Sequence, residues 1–442
     1  MAVHVVNEAR RCYQCKKPFC VEGCPVRTPI PEMIKLFLAG ESDKAGELLF
    51  ENNPLSCVCA LVCDHERQCE GHCIQNRKGS PIQWSSIENY ISEKYLDRMM
   101  VPQPERLGQM VGIIGSGPAG ITIAICLAKK GYDVTIFDSR DQIGGVLRYG
   151  IPAFRLPKTI LEKYADRLRE MGVRIRPNTT IGGALTVDDL FRDGYEAIVI
   201  GTGVWRPRKL GVVGESLGNV HFAIDYLANP DVYKLGDNVV IIGAGNSAID
   251  VARTVIRHGA RRVTMCELMQ RSTASKLELD YAQADGVEII YGMATQRITE
   301  NGPVFKRVNF DEDGHIVGYS DEEELIEADS TIVAISQVPK DKIVNTTTGI
   351  ETNERGLVRT DSRGFTTREG VFASGDVVRG AKTVVEAVQY SKGVAEAIDQ
   401  YLTEKREARK ADGIVPEAPK PVSILDPAQI VDPTYLRPNA QS

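Results

Sequence analysis

The chain has 442 residues, 43% hydrophobic and 25% charged, with a formal net charge of −6. At roughly 150 residues per domain this suggests about three domains, each large enough to bury its own core. The acidic balance and the lack of a basic arm argue against nucleic acid; no apolar run approaches the ~18 residues of a membrane span, and MAVHVVNEARRC lacks a signal peptide's apolar centre, so a cytoplasmic location is expected.

Nine of the 11 cysteines fall within the first 73 residues. In a reducing compartment such density points to metal or redox chemistry rather than disulfides. The first run is Cys12, Cys15, Cys20 and Cys24, with Pro25 directly after; the second is Cys57, Cys59, Cys63, Cys69 and Cys73. The first run resembles ferredoxin-type spacings, in which the last cysteine before proline ligates the other cluster. Thiolates suit iron and zinc alike, so the neighbouring units must decide between them. Residues 29–53 carry helical apolar spacing through Ile34, Leu38, Leu48 and Leu49. SSIENYISEKYLDRMM predicts a second helical stretch, capped by Ser85 or Ser86 with Glu88 near its first turn. VPQPERLGQM then reads as a linker.

From Met110 to Asp138 the pattern becomes strand, glycine turn, helix, strand. Gly115, Gly117 and Gly120 form G-x-G-x-x-G: one glycine for the tight turn, one for close approach to a pyrophosphate, one for helix–strand packing. Asp138 ends the next strand, where a carboxylate can accept ribose hydroxyls. The design recurs from Asn238 to Glu267, with Gly243, Gly245 and Ala248 in the glycine positions and Glu267 in the acidic one. A carboxylate there favours the free 2′-hydroxyl of NAD(H) over the 2′-phosphate of NADP(H). Later, GVFASGDVVRGAKTVVEAV reads as a strand, Gly375-Asp376, and a helix from about Thr383. It resembles the closing motif of flavoproteins with two dinucleotide domains, in which the aspartate meets FAD and the helix start suits a reduced, anionic flavin. A flavin beside the cysteines favours iron–sulfur clusters over zinc, because clusters carry single electrons and zinc has no redox role. The last residues are charged and then proline-rich, a tail without its own core.

Seven stretches in this order carry a further resemblance: CYQCKKPFCVEGCP, NPLSCVCALVCDHERQCEGHC, GSGPAG, GGVLRYGIPAFRLPK, GTGVWRPRKLGV, GAGNSAIDVAR and GDVVRGAKTVVEAV. Over about residues 8–403 the chain resembles the small (β) subunit of glutamate synthase. It is also similar to the flavin and iron–sulfur part of dihydropyrimidine dehydrogenase and to the large subunit of bifurcating ferredoxin:NADP transhydrogenase. The implied fold class is α/β: two Rossmann-like dinucleotide-binding domains of the glutathione-reductase type behind a helical iron–sulfur domain. The expected division is 1–107 for two [4Fe-4S] clusters, 108–237 plus 340–403 for FAD, 238–339 for NAD(H), and 404–442 for the tail.

The resemblance implies crossed ligation, with Cys12, Cys15, Cys20 and Cys73 on one cluster and Cys24, Cys63 and Cys69 on the other. It places the eighth ligand at Glu88, with Cys59 as the alternative; Cys57 is an addition in this sequence. It implies FAD binding by Ser116, Gly117, Pro118, Ala119, Gly120, Asp138, Gly144, Gly145, Val146, Arg155, Ile181, Gly375, Asp376 and Thr383. For the nicotinamide nucleotide it implicates Ala244, Gly245, Asn246, Ser247, Ala334, Ile335 and Ser336 beside Glu267. NADP-using relatives carry two arginines where this chain has Leu268 and Met269, a second feature for NAD(H). No catalytic side chain beyond the cofactors is expected. The implied function is an FAD-dependent, NADH-oxidising electron-transfer subunit that feeds a catalytic partner through both clusters in a hetero-oligomer. Two rivals are a freestanding reductase acting on ferredoxin or another acceptor, and a zinc-binding scaffold with relic nucleotide folds.

Overall fold

The computed structural model describes residues 4–411. The amino-terminal part is helical, with its longer helices at Ile30–Leu38, Ser42–Asn52, Ser56–Val62 and Trp84–Arg98. The helical spacing of residues 29–53 belongs to two helices, because Gly40 takes φ +82° and ends the first. The Gly40 amide returns to the Phe37 carbonyl and the Glu41 amide to that of Leu36, a left-handed helix stop that glycine makes without strain. Neither Ser85 nor Ser86 caps the later helix. It begins at Trp84 with no side-chain cap from Gln83, and borrowed carboxylates serve its amides instead. Glu70 Oε1 accepts from Ser85 N at 2.8 Å and Glu8 Oε1 from Gln83 N at 2.9 Å. Both place negative charge at a helix start, where it is stabilised.

Met33, Ile34, Leu49, Ile87, Ile91 and Trp84 form the core of this part, and Cys69 packs in it. Its second half merges with the neighbouring core: Leu55, Cys57, Val58 and Leu96 pack in one cluster with Leu161, Tyr164 and Leu168.

Two five-stranded parallel sheets follow. The first runs in the order Val371–Ala373, Tyr195–Ile200, Met110–Ile114, Asp133–Phe137, Arg174–Arg176. The second runs Val220–Phe222, Ser330–Val333, Asn238–Ile242, Arg262–Glu267, Glu288–Tyr291. Val111, Ile113, Val239 and Ile241 are buried to 1% or less, as strands covered on both faces require. The strand Val220–Phe222, inside the segment 108–237 expected for FAD, pairs with Ser330–Val333 in the second sheet. A three-stranded antiparallel sheet, Met293–Thr299, Gly302–Phe310 and Ile316–Leu325, is inserted before the second sheet's last strand in sequence. The long helix from Val384 extends to Ala411, into the segment expected as tail, and residues 412–442 lie outside the described residues. Among the described residues no helix is long and apolar enough to cross a membrane.

Candidate functional site

The two glycine turns are built alike. Gly115 has φ +105° and Gly243 φ +117°, and a Cβ at either would collide with a backbone oxygen, of Gly201 at 2.4 Å or of Ala334 at 2.6 Å. Gly120 lets the Pro118–Lys129 helix approach its strand, since a Cβ there would stand 2.0 Å from Gly115 O. At Gly117 an added Cβ meets no protein atom within 4 Å, although the residue lines a large cavity. That open cradle fits a pyrophosphate lying against the backbone at a helix start.

Each acid at the end of the second strand ties down its own turn. Asp138 Oδ2 accepts the Ser116 amide at 2.7 Å and the Ser116 hydroxyl, while Oδ1 accepts Arg140 N at 2.8 Å. Glu267 Oε2 accepts Ala244 N at 2.8 Å. A carboxylate in this position therefore fastens the glycine turn.

Both turns open on one cavity of ≈ 1580 Å³. Of the residues expected to hold the flavin, all but Gly120 and Gly144 line it. Gly120 packs behind the turn, and the Gly144 amide donates to Ser116 O at 2.9 Å. All those expected for the nicotinamide nucleotide, from Ala244 to Ser336, line the same cavity. Ser336 holds φ +90°, a strained conformation for a residue other than glycine and one that concentrates at functional sites. Burial pushes the Asp376 carboxyl up to about 6, although the Lys382 amide donates to it at 3.3 Å. Thr383 caps the long helix reciprocally with Glu386, whose Oε2 accepts the Thr383 amide at 3.0 Å.

Arg155 lines the cavity with its guanidinium already engaged. Its Nη1 lies 2.8 Å from both oxygens of Asp250, and its Nε 3.0 Å from Glu278 Oε1. Both acids sit on helices of the second nucleotide unit, Asn246–Arg257 and Lys276–Ala284, so Arg155 pins the seam between the units. Sequence reading gave no role to GTGVW, yet Thr202, Gly203, Val204 and Trp205 line the cavity and Arg140 stacks on Trp205 at 5.3 Å. Its early appearance as a family stretch was the available signal.

The amino-terminal cysteines are all free thiols. Cys12, Cys15, Cys20 and Cys73, the first expected set, face one small pocket walled by Ile30, Ile34, Ile82 and Trp84, and Cys69 of the second expected set lines it too. Burial pushes Cys20 up to about 12, and Cys73, Cys12 and Cys15 add to the rise. Cys24, Cys63, Cys69 and Glu88 form the second set. Burial first, then Glu88, holds Cys69 well up; Cys63 is raised first by its hydrogen bond with Cys59. Burial holds the Glu88 carboxyl well above its usual range, with Cys59 the next cause. Glu88 and Cys59 are therefore close enough to influence one another. Buried thiols that repel one another's ionised forms fit a cationic group, which alone makes such thiolates favourable. His65 Nε2 is buried without a hydrogen-bond partner beside Cys63, an orphan that an inserted group would satisfy. Val62, the residue before Cys63, lines the large cavity.

Two family profiles match the chain: pyridine nucleotide-disulphide oxidoreductase over residues 109–391, and dihydropyrimidine dehydrogenase domain II, 4Fe-4S cluster, over residues 2–100. The glutamate synthase [NADPH] small chain of Azospirillum brasilense is 34% identical over 436 residues, covering 91% of this chain and 90% of that one. The NAD-dependent dihydropyrimidine dehydrogenase subunit PreT of Salmonella typhimurium is 34% identical over 409 residues, covering 90% and 94%. Mycobacterium tuberculosis FprA in complex with NADPH shares the fold, with a TM-score of 0.58 at 16% identity over 69% of this chain and 88% of that one.

Proposed function

Because the chain belongs to the glutamate synthase small-chain family, a flavin-dependent oxidoreductase unit behind a 4Fe-4S domain, we propose that it oxidises NADH as the electron-input subunit of a larger complex. The cofactors in this reading are FAD, NAD(H) and two [4Fe-4S] clusters. When bound, the flavin exchanges hydride with the nicotinamide and the clusters carry its electrons singly. One observation carries the reading: the cavity faced by both glycine turns is also walled by Val62, next to Cys63. The cysteine sets serve no purpose so close to a nucleotide site unless electrons pass between them.

This chain's own work is binding and orientation. The helices starting at Pro118 and Asn246 stabilise the two pyrophosphates, while Asp138 and Glu267 shape the turns and meet the riboses. Gly375, Asp376 and the capped start at Thr383 would also hold the flavin. Cys24, Cys63, Cys69 and Glu88 would hold the cluster nearer the flavin, and Cys12, Cys15, Cys20 and Cys73 the outer one. So many thiols suit a reducing, cytoplasmic setting. A catalytic subunit that consumes the electrons is the natural partner, as the names of both relatives as subunits suggest.

Anaerobic isolation tests this. The expected protein contains FAD, iron and sulfide, and NADH bleaches its flavin absorbance faster than NADPH does. Zinc in place of iron, or a flavin that neither nucleotide reduces, would overturn it.

A further inference from the structure

We propose that the face above the Cys12, Cys15, Cys20 and Cys73 pocket is a docking surface for an acidic electron-carrier protein. The inference rests on the cluster reading above and places a mobile carrier as first acceptor, ahead of the catalytic subunit that consumes the electrons. Tyr13, Phe19 and Ile74 wall that pocket from outside and are themselves 60%, 44% and 38% exposed. A single layer of apolar side chains therefore separates the pocket from solvent.

The rim of this apolar spot is basic. Lys16, Lys17, Arg77 and Lys78 are all exposed, and among the described residues none of them pairs with a carboxylate. Neither residues 11–20 nor residues 73–80 contain an aspartate or glutamate, in a chain whose net charge is −6. Lys78 Nζ lies 5.9 Å from the Tyr13 ring centre, which joins the two stretches into one surface. An apolar centre with a charged rim is the layout of a transient protein interface, and a rim of one sign selects a partner of the other and speeds encounter. A carrier with a ring of carboxylates around its own redox centre fits; a basic carrier is repelled.

The test uses the isolated holoprotein and an oxidised plant-type [2Fe–2S] ferredoxin as an acidic probe, with cytochrome c as a basic one. Binding is read by calorimetry across a salt series, independently of turnover. Ferredoxin binding that weakens with salt, and that weakens at least about tenfold in K17E/R77E/K78E, supports the face. The same reversal at Arg261 and Arg262, in the second nucleotide unit, should have little effect. Should the triple reversal lose iron, the neutral variant K17Q/R77Q/K78Q and the salt series of the unaltered protein decide. No ferredoxin binding, binding indifferent to these residues, or tighter binding of cytochrome c overturns the proposal. A protein isolated without iron would instead defeat the cluster reading, so the two failures are distinct.

Discussion

Arg67 and Ala274 are joined across the molecule: the guanidinium donates to the Ala274 carbonyl at 2.9 Å and to that of Thr273 at 3.1 Å. Beside it, Glu66 Oε2 accepts the Leu277 amide at 3.1 Å. Both side chains belong to the loop between Cys63 and Cys69. Their targets flank Ser275, whose amide donates to Asn246 Oδ1 at 3.2 Å next to the second glycine turn. The loop that presents two proposed cluster ligands thus also steadies the cavity wall at Asn246, beside the second glycine turn. Removing two partly exposed bonds of about 1 kcal/mol or less each should raise KM for NADH by up to about tenfold in Arg67→Ala, with iron and flavin retained. Steady-state kinetics with metal analysis checks this, and an unchanged KM would show the clamp to be idle.

Glu267 fastens Ala244, and in the proposed NADH reading it also sets a negative charge where a 2′-phosphate would arrive. Its Oε1 also accepts Met269 N at 3.1 Å. Glu267→Gln keeps an acceptor for the turn while removing the charge. The expected result is about a tenfold gain in kcat/KM with NADPH, with NADH changed far less, equivalent to about 1.4 kcal/mol. A variant whose NADH to NADPH ratio matches the parent's would mean that the charge plays no part.

The eighth cluster ligand is open to a paired test. Glu88 is 5% exposed and Cys59 1%, so neither reaches solvent. An oxygen ligand in place of sulfur changes a cluster's potential and spectrum. Glu88→Ala should therefore alter one reduced-cluster EPR signal and leave the other intact, while Cys59→Ala should leave both. The opposite pattern would move the ligand to Cys59.

These sites were legible in the sequence to different depths. The glycine turns and their acids were readable because geometry there depends on residues a fixed distance apart along strand, turn and helix. The cysteines were readable as two runs, but the crossed arrangement expected for them rests on family resemblance, since spacing alone does not say which thiols share a pocket. Arg155 was read toward the flavin; nothing in PAFRLPK reveals that Asp250 and Glu278, on two later helices, hold its guanidinium. The short strand Val220–Phe222 carries too few residues to show its sheet, and the sheet from Met293 to Leu325 mixes exposed acids into its strands. Ser85 and Ser86 looked like caps because local rules see only neighbours, whereas Glu70 and Glu8 arrive from elsewhere in the fold.

Asp376 offers a pH test. Its carboxyl sits near 6 in the flavin-free protein, raised by burial from an ordinary value near 3.8. In the proposed reading the ionised form would accept hydroxyl donors from the flavin's ribityl chain, so binding would favour loss of the proton. FAD affinity should rise with pH up to about 6, by at most about tenfold per unit, and level off above it. Titration of the flavin-free protein, followed by quenching of FAD fluorescence, measures this. Asp376→Asn should flatten the profile, and a variant that keeps the slope would assign the titration to another group.

Arg155, Asp250 and Glu278 make the strongest stability prediction. Their side chains are 12%, 5% and 14% exposed, so three charges are held out of water at the seam between the nucleotide units. Phe154, the preceding residue, adds cation–π contacts with Arg253 at 4.9 Å and Arg257 at 4.2 Å on the same facing helix. Taking away the arginine alone strands Asp250, whereas Glu278 keeps Arg253 Nη1 at 2.9 Å. Arg155→Met should therefore cost about 3–5 kcal/mol, and adding Asp250→Asn to it should recover a large share by removing the stranded charge. Urea unfolding of the flavin-loaded protein, followed by tryptophan fluorescence and by flavin release, distinguishes the outcomes. If the double variant is no more stable than Arg155→Met, the seam is held by packing at Phe154 and its neighbours rather than by these charges.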